Sequence, residues 1–316
     1  MTIRVLDMFC GAGGSSAGAR LAGARITSAI DVWDLATLTF KDNFATATVE
    51  TRELGPCSKP SLAIQESDID LLLASPECTN HSPAKGSKRR SENSRRTSNY
   101  VLNFAKKLKP RWIVLENVVQ LRGWSGYDQL ISDLRNLGYK IRPQILDAAD
   151  FGVPQTRRRL FVLCDREKEP ALVKTRIRTL RSARTAIRLN GPWPSRPLYL
   201  DSRAPPTLER AERAIETLGR RVPFLIVYYG SDGSGGWQNL DRPLRTLTTL
   251  DRFGLVTWDG REPMLRMLQV DELRRAMGFP SCHRFEHGTR RDRIKLLGNG
   301  VTPPVMKAVV ESLTGV

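Results

Sequence analysis

Three short stretches hold side chains whose types and spacing suit covalent chemistry on a polar ring. In the first, Cys78 follows the buried-looking run Leu71-Leu72-Leu73 within S-P-E-C. A cysteine at the end of a strand, held by a proline, is a nucleophile position when nearby positive charge or donors favour its thiolate. The second reads W-I-V-L-E-N-V and places Glu116 at a strand's carboxyl end, with Asn117 beside it. Partial burial there would raise the carboxyl pKa and make Glu116 a proton donor. The third, F-G-V-P-Q-T-R-R-R, ends in Arg157, Arg158 and Arg159. On an incoming strand, Arg157 and Arg159 share one face, a pair suited to phosphate or to a polarised carbonyl. Each stretch also has a plainer reading: an inert buried thiol, a salt-bridged acid, a basic surface.

A fourth stretch, D-M-F-C-G-A-G-G from Asp7, follows the apolar residues Ile3, Val5 and Leu6 and precedes a helix-compatible run, Ser15 to Leu21. A strand turning through glycines into a helix brings backbone N–H groups close to a ligand. The spacing is not G-x-G-x-x-G, so a dinucleotide fingerprint fits poorly.

The elements that must position these groups follow from periodicity. Strands are expected at Arg4–Phe9, Ile26–Ile30, Asp70–Ala74, Trp112–Leu115 and Leu160–Cys164, with helices at Leu35–Phe44, Asn99–Leu108 and Tyr127–Leu137. That alternation predicts an α/β fold, a doubly wound and mostly parallel sheet, with ligands at the carboxyl ends of the strands. From about Asp165 to Arg221 the pattern dissolves into basic residues and prolines, as expected of a smaller, loop-rich unit. Val305–Leu313 reads as a helix introduced by Pro303 and Pro304. The expected division is 1–164 for catalysis and cofactor, 165–285 for target recognition, and 286–316 as a segment returning to the first unit.

The chain of 316 residues carries a net charge of +17, which calls for a polyanionic partner, above all a nucleic acid. Five cysteines, odd in number and never spaced C-x-x-C, argue for a reducing compartment and against a disulfide framework or a structural metal. No apolar run is long enough to span a bilayer, so no membrane partner is expected.

Taken in order, D-M-F-C-G-A-G-G, P-E-C, E-N-V, Q-T-R-R-R, R-P-L-R-T-L-T and G-N-G-V-T-P-P resemble the cytosine-5 DNA methyltransferase family, from Asp7 to Val305. The resemblance implies a class I fold binding S-adenosylmethionine, and methyl transfer to carbon 5 of a cytosine flipped out of double-stranded DNA. On this sequence it makes Cys78 the nucleophile at carbon 6 and Glu116 the group that protonates ring nitrogen 3. Arg157 and Arg159 would brace the flipped nucleotide. For the cofactor it implies Asp7, Phe9 on the adenine, Gly11, Gly13 and Gly14 near the methionine part, Asp31 at the ribose, Glu50 at the adenine, and Asn299. Gln155 and the segment following Cys78, with Lys88, Arg89, Arg90, Arg95 and Arg96, would contact DNA.

One departure bears on the chemistry. Most family members have proline directly before the cysteine, whereas Glu77 stands between Pro76 and Cys78. It could re-aim the thiol, and its carboxylate would raise the thiol pKa unless it points away. The departure keeps open a catalytically silent DNA-binding protein on the same fold, and the resemblance keeps open an RNA cytosine methyltransferase, since some relatives of the family act on transfer RNA. The resemblance further implies a bacterial or phage cytoplasmic setting, a monomer, and a cognate restriction endonuclease as a possible partner.

Overall fold

The computed structural model describes residues 2–64, 69–77, 96–175, 179–229 and 235–315. Its larger layer is a seven-stranded sheet of β1 (Arg4–Met8), β2 (Arg25–Asp31), β3 (Thr48–Thr51), β4 (Leu71–Ala74), β5 (Trp112–Asn117), β6 (Lys140–Asp147) and β7 (Arg158–Asp165), in the order β3-β2-β1-β4-β5-β7-β6. The first five strands pair in parallel, and β7 runs antiparallel to both β5 and β6. Strands of a parallel sheet are covered on both faces and read as continuous apolar runs. Leu71 to Ala74 are accordingly all buried, with Leu71 and Leu73 in one core and Leu72 and Ala74 in the other.

Helices α1 (Gly14–Leu21) and α2 (Asp34–Asn43) cover the first of these faces. The far C-terminal α8 (Pro303–Thr314) packs beside α1 and contributes Val305, Met306, Val309, Val310 and Leu313 to that core. The opposite face carries α3 (Tyr100–Leu108) and α4 (Tyr127–Asn136), which bury Val101, Phe104, Leu108, Leu130, Ile131 and Leu134.

A second sheet comprises β8 (Arg196–Pro197), β9 (Phe224–Val227), β10 (Trp237–Asn239), β11 (Phe253–Asp259) and β12 (Glu262–Met267), all antiparallel, in the order β10-β9-β11-β12-β8. Helix α5 (Pro205–Leu218) packs on one face. On the other, α6 (Val270–Ala276) and α7 (Arg290–Asn299) share a core that reaches back to Ala12 and Ala36 of the first layer.

All five expected strands are present with ends shifted by a few residues. Strands β3 and β6 are additional. They are half-exposed, and β6 holds Pro143, which an edge strand tolerates. Helix α5 corrects the loop-rich reading of the 165–221 stretch. Its inner face carries Ala211 and Ala214 with Leu208, Ile215 and Leu218 partly buried beside them, a helical spacing that the basic and proline-rich surroundings obscured. No described helix is long and apolar enough to cross a membrane.

Candidate active site

The loops leaving β1, β2, β4 and β5 converge on a cavity of about 430 Å³. Phe9, Gly11, Gly14, Asp31, Glu116, Arg157, Arg159 and Asn299 all line it, so groups separated by up to 290 residues meet in one space.

One half is built by the turn between β1 and α1. Phe9 leaves the strand with φ +58°, an uncommon backbone conformation for a bulky residue that concentrates at functional turns. Gly13, at φ +82°, caps α1, and a Cβ there would meet the Phe44 ring at 2.6 Å. A Cβ on Gly14 would lie 2.2 Å from the Val301 carbonyl oxygen, so only glycine lets the segment after α7 approach the loop this closely.

The loop's amides are largely consumed. Cys10 N–H donates to the Ile30 carbonyl (3.1 Å), Gly11 N–H to Asp31 Oδ2 (2.8 Å) and Gly13 N–H to the Cys10 carbonyl (2.8 Å). Asp31 Oδ1 also accepts from Trp33 N–H at 2.9 Å. A loop whose donors are engaged and whose floor is a carboxylate does not suit a phosphate. Phe9, Trp33, Leu54 and Leu296 form apolar walls, while Asp31, Glu53 and Asn299 offer polar groups. That set fits a nucleoside bearing hydroxyls and an amine, as S-adenosylmethionine does.

The other half is centred on Glu116, which is 6% exposed at the end of β5. Its Oε1 lies 3.3 Å from Arg159 Nε. Burial raises the Glu116 pKa, against the opposing pull of Arg159, Arg157 and a hydrogen bond from Ser75. Neighbouring Asn117 donates from Nδ2 to the Pro76 carbonyl at 3.1 Å and accepts Val118 N–H at 2.8 Å. The strand that carries Glu116 therefore fixes the start of the P-E-C turn. Glu77 lines the cavity, while Cys78, one residue on, lies outside the described residues. Cys10 also borders the cavity, but burial and the charges of Asp31 and Asp7 push its thiol well up, which disfavours a thiolate there.

Five expected site residues are placed differently from their expected roles. Asp7 is fully buried beneath the loop, where it accepts the Ser16 hydroxyl at 2.6 Å; burial pushes its pKa up to about 7. Gly13 faces the Phe40 and Phe44 rings rather than the cavity. Glu50 accepts from Ser61 and pairs with Arg52 at 3.1 Å, whereas Glu53, three residues on, lines the cavity. Gln155 is fully buried, accepting Leu247 N–H at 2.9 Å and donating to the Ala276 carbonyl at 3.2 Å, out of reach of DNA. Arg157, 3% exposed, donates to the carbonyls of Leu247 (2.9 Å), Gly298 (2.7 Å) and Gly300 (2.9 Å), bracketing Asn299. Its guanidinium is a strut within the protein, which leaves Arg159 as the arginine paired with Glu116.

Lys88, Arg89, Arg90 and Arg95 lie outside the described residues, as does the side chain of Arg96. Motif reading missed Trp33, Glu53 and Lys295; the Lys295 ammonium stands 4.4 Å from the Trp33 ring centroid. An aromatic residue two positions after Asp31 was the available signal for Trp33. Among the described residues no group of three or more His, Cys, Asp or Glu side chains could hold a metal ion.

This sheet order, with its antiparallel β7 and a ligand cavity at the strand ends, defines the class I methyltransferase fold. The family model described as "C-5 cytosine-specific DNA methylase" matches residues 3–191, and the chain belongs to that family. It is 34% identical over 164 residues to the type II methyltransferase M.HgiDI of Herpetosiphon aurantiacus, covering 51% of this chain and 52% of that protein. With the type II methyltransferase M.HindV of Haemophilus influenzae it shares 26% identity over 320 residues, 98% of this chain and 96% of the relative. The chain thus spans about half the length of the first relative and nearly all of the second. The crystal structure of the S. pombe Dnmt2 methyltransferase superposes with a TM-score of 0.67 at 18% identity, covering 100% of this chain and 99% of that one. A Spodoptera frugiperda DNMT2 mutant gives 0.69 at 16% identity, over 99% and 100%. At these identities the structural likeness speaks for the fold.

Proposed function

We propose that this protein is a DNA (cytosine-5-)-methyltransferase that acts on a cytosine flipped out of double-stranded DNA, with Cys78 as nucleophile and S-adenosylmethionine as methyl donor. The observation that carries this reading is the shared cavity. A nucleoside-shaped half at the glycine turn opens directly onto a buried, protonatable Glu116 paired with Arg159.

The Cys78 thiolate forms a bond to carbon 6, and the displaced electron pair is accommodated as Glu116 gives its proton to nitrogen 3. Arg159, fixed beside Glu116, is placed to hold the base carbonyl. Bound S-adenosylmethionine supplies the electrophilic methyl group and leaves as S-adenosylhomocysteine. Loss of the proton at carbon 5 to a base, cleavage of the Cys78–carbon 6 bond and return of the nitrogen 3 proton release the thiolate, Glu116 in its acid form and 5-methylcytosine. Flipping is required because carbon 6 cannot be reached covalently within the stack.

The +17 charge supports DNA as partner. Lys88, Arg89, Arg90, Arg95 and Arg96 are assigned to phosphates. Replacing all five with Gln is expected to weaken DNA binding and to reduce the salt slope by about 0.9 for each phosphate no longer neutralised. An unchanged slope in filter binding would remove these five residues from the interface. The family's description as a DNA methylase favours DNA over RNA, and the type II methyltransferases among the relatives are consistent with a restriction–modification setting and a cognate endonuclease. The deciding test is nucleoside mass spectrometry of DNA from a methylation-free host expressing the protein, beside a Cys78→Ala control. The proposal requires 5-methylcytosine with the intact protein alone; its absence from soluble, folded protein overturns the proposal, and its persistence in the control moves the nucleophile.

A further inference from the structure

His283 lies between α6 and α7, 271 residues from the glycine turn, yet the two meet. Its ring is 2% exposed and boxed by aromatic side chains, with centroids at 4.7 Å for Phe279, 5.3 Å for Phe285 and 6.1 Å for Phe44. Nε2 sits 2.8 Å from the Ala12 carbonyl oxygen. A carbonyl can only accept, so Nε2 carries the hydrogen and Nδ1 is the bare nitrogen of a neutral imidazole. Nδ1 is buried with no hydrogen-bond partner among the described residues. Burial correspondingly lowers the His283 pKa to about 4, so the neutral form persists at physiological pH.

The Ala12–Gly13 peptide is thereby held at both ends. Its C=O accepts from His283, and its N–H, that of Gly13, donates to the Cys10 carbonyl at 2.8 Å. Flipping this peptide would break both bonds, in a turn whose flanking Gly11 and Gly14 border the cavity. We infer that His283 is a positioning residue for cofactor binding: it locks the Ala12–Gly13 peptide plane and so keeps the glycine turn in the shape that admits the adenosyl ligand. The inference rests on the cavity being the S-adenosylmethionine site.

The test compares wild type with His283→Phe, which keeps a ring but has no donor, and His283→Gln, which restores an N–H. Calorimetric titration with S-adenosylhomocysteine is read beside the melting temperature without ligand. His283→Phe is expected to weaken binding by about 10- to 100-fold, as for an unpaired buried carbonyl, with Gln recovering most of the loss. The methylation assay should show the effect in the KM for S-adenosylmethionine, with kcat at saturation changed less than threefold, on the order of half a kcal/mol. A lowered melting temperature with unchanged affinity of the folded variant would overturn the inference and leave His283 a packing residue. Should His283→Phe fail to fold, His283→Met, also without a donor, takes its place under the same criteria. If wild type itself does not bind S-adenosylhomocysteine, the cofactor reading falls and takes this inference with it. Wild-type binding with an unaffected donor-free variant defeats the inference alone.

Discussion

Glu116 is subject to opposing influences: burial disfavours its carboxylate, while Arg159 and Arg157 favour it, and burial prevails. The proposed step uses its acid form, so Glu116 should impose a limb on kcat/KM that falls as pH rises through its elevated pKa. Glu116→Gln should lower kcat by about 10²- to 10⁴-fold and leave S-adenosylhomocysteine affinity unchanged, as read by single-turnover kinetics and calorimetry. Asp7 makes a separate prediction, about folding. Its pKa rises from 3.8 in the unfolded chain to about 7 in the folded protein, so the unfolded state gives up its proton first. Its contribution to stability is complete below pH 3.8 and is lost as pH climbs to 7, a swing of about 4 kcal/mol. Asp7→Asn, which keeps an acceptor for Ser16, should abolish that loss and melt higher than wild type at pH 8 in denaturation scans across this range.

At the scale of elements, the glycine turn depends on a helix it does not adjoin in sequence. Gly14→Ala would set a methyl carbon 2.2 Å from the Val301 backbone oxygen, where no side chain can give way. We expect a loss of about 1–3 kcal/mol or more in stability, measured by denaturant titration, with α8 prised from α1. Strands β1, β4 and β5 were legible because a buried apolar run admits few alternatives, α3 and α4 because large apolar residues recur at helical spacing, and α1, which buries only glycine, serine and alanine, because a glycine turn introduces it. Strand β3 (T-V-E-T) was not, since a half-exposed strand writes a weak pattern, and helix α5 was passed over although Leu208, Ala211, Ile215 and Leu218 recur at helical spacing within a charged, proline-flanked stretch. In the site, motif reading picked out chemical types but not directions. Glu50 and Glu53 lie on the same short stretch, and only the bend after β3, where Arg52 N–H donates to the Asp31 carbonyl at 2.8 Å, brings Glu53 to the cavity. Gln155, expected at DNA, and Arg157, expected at the flipped nucleotide, are buried instead against the Leu247 loop, with α6 meeting Gln155 and the Gly298–Gly300 segment meeting Arg157, which no local spacing reveals.

Across the whole molecule, Arg157 ties three parts together: the segment just before β7, the loop at Leu247, and the end of α7 at Gly298–Gly300. A lysine can reach one of these carbonyls but cannot fork to three. Arg157→Lys should therefore cost about 2–4 kcal/mol of stability and weaken S-adenosylhomocysteine binding through the displaced Asn299. Thermal melts and calorimetry on the same preparation would show whether the two losses move together. The contact of Gly14 with Val301 has a further consequence, in time rather than space. At about 5–20 residues per second, a ribosome reaches Val301 some tens of seconds after it has made Gly14. Throughout that interval the strands and first helices can pair, yet the cavity lacks Lys295, Leu296, Asn299 and its final wall. If this cavity takes the methyl donor as proposed, a chain ending before α7 is expected to lack the donor affinity of the full chain, whatever part of it has folded.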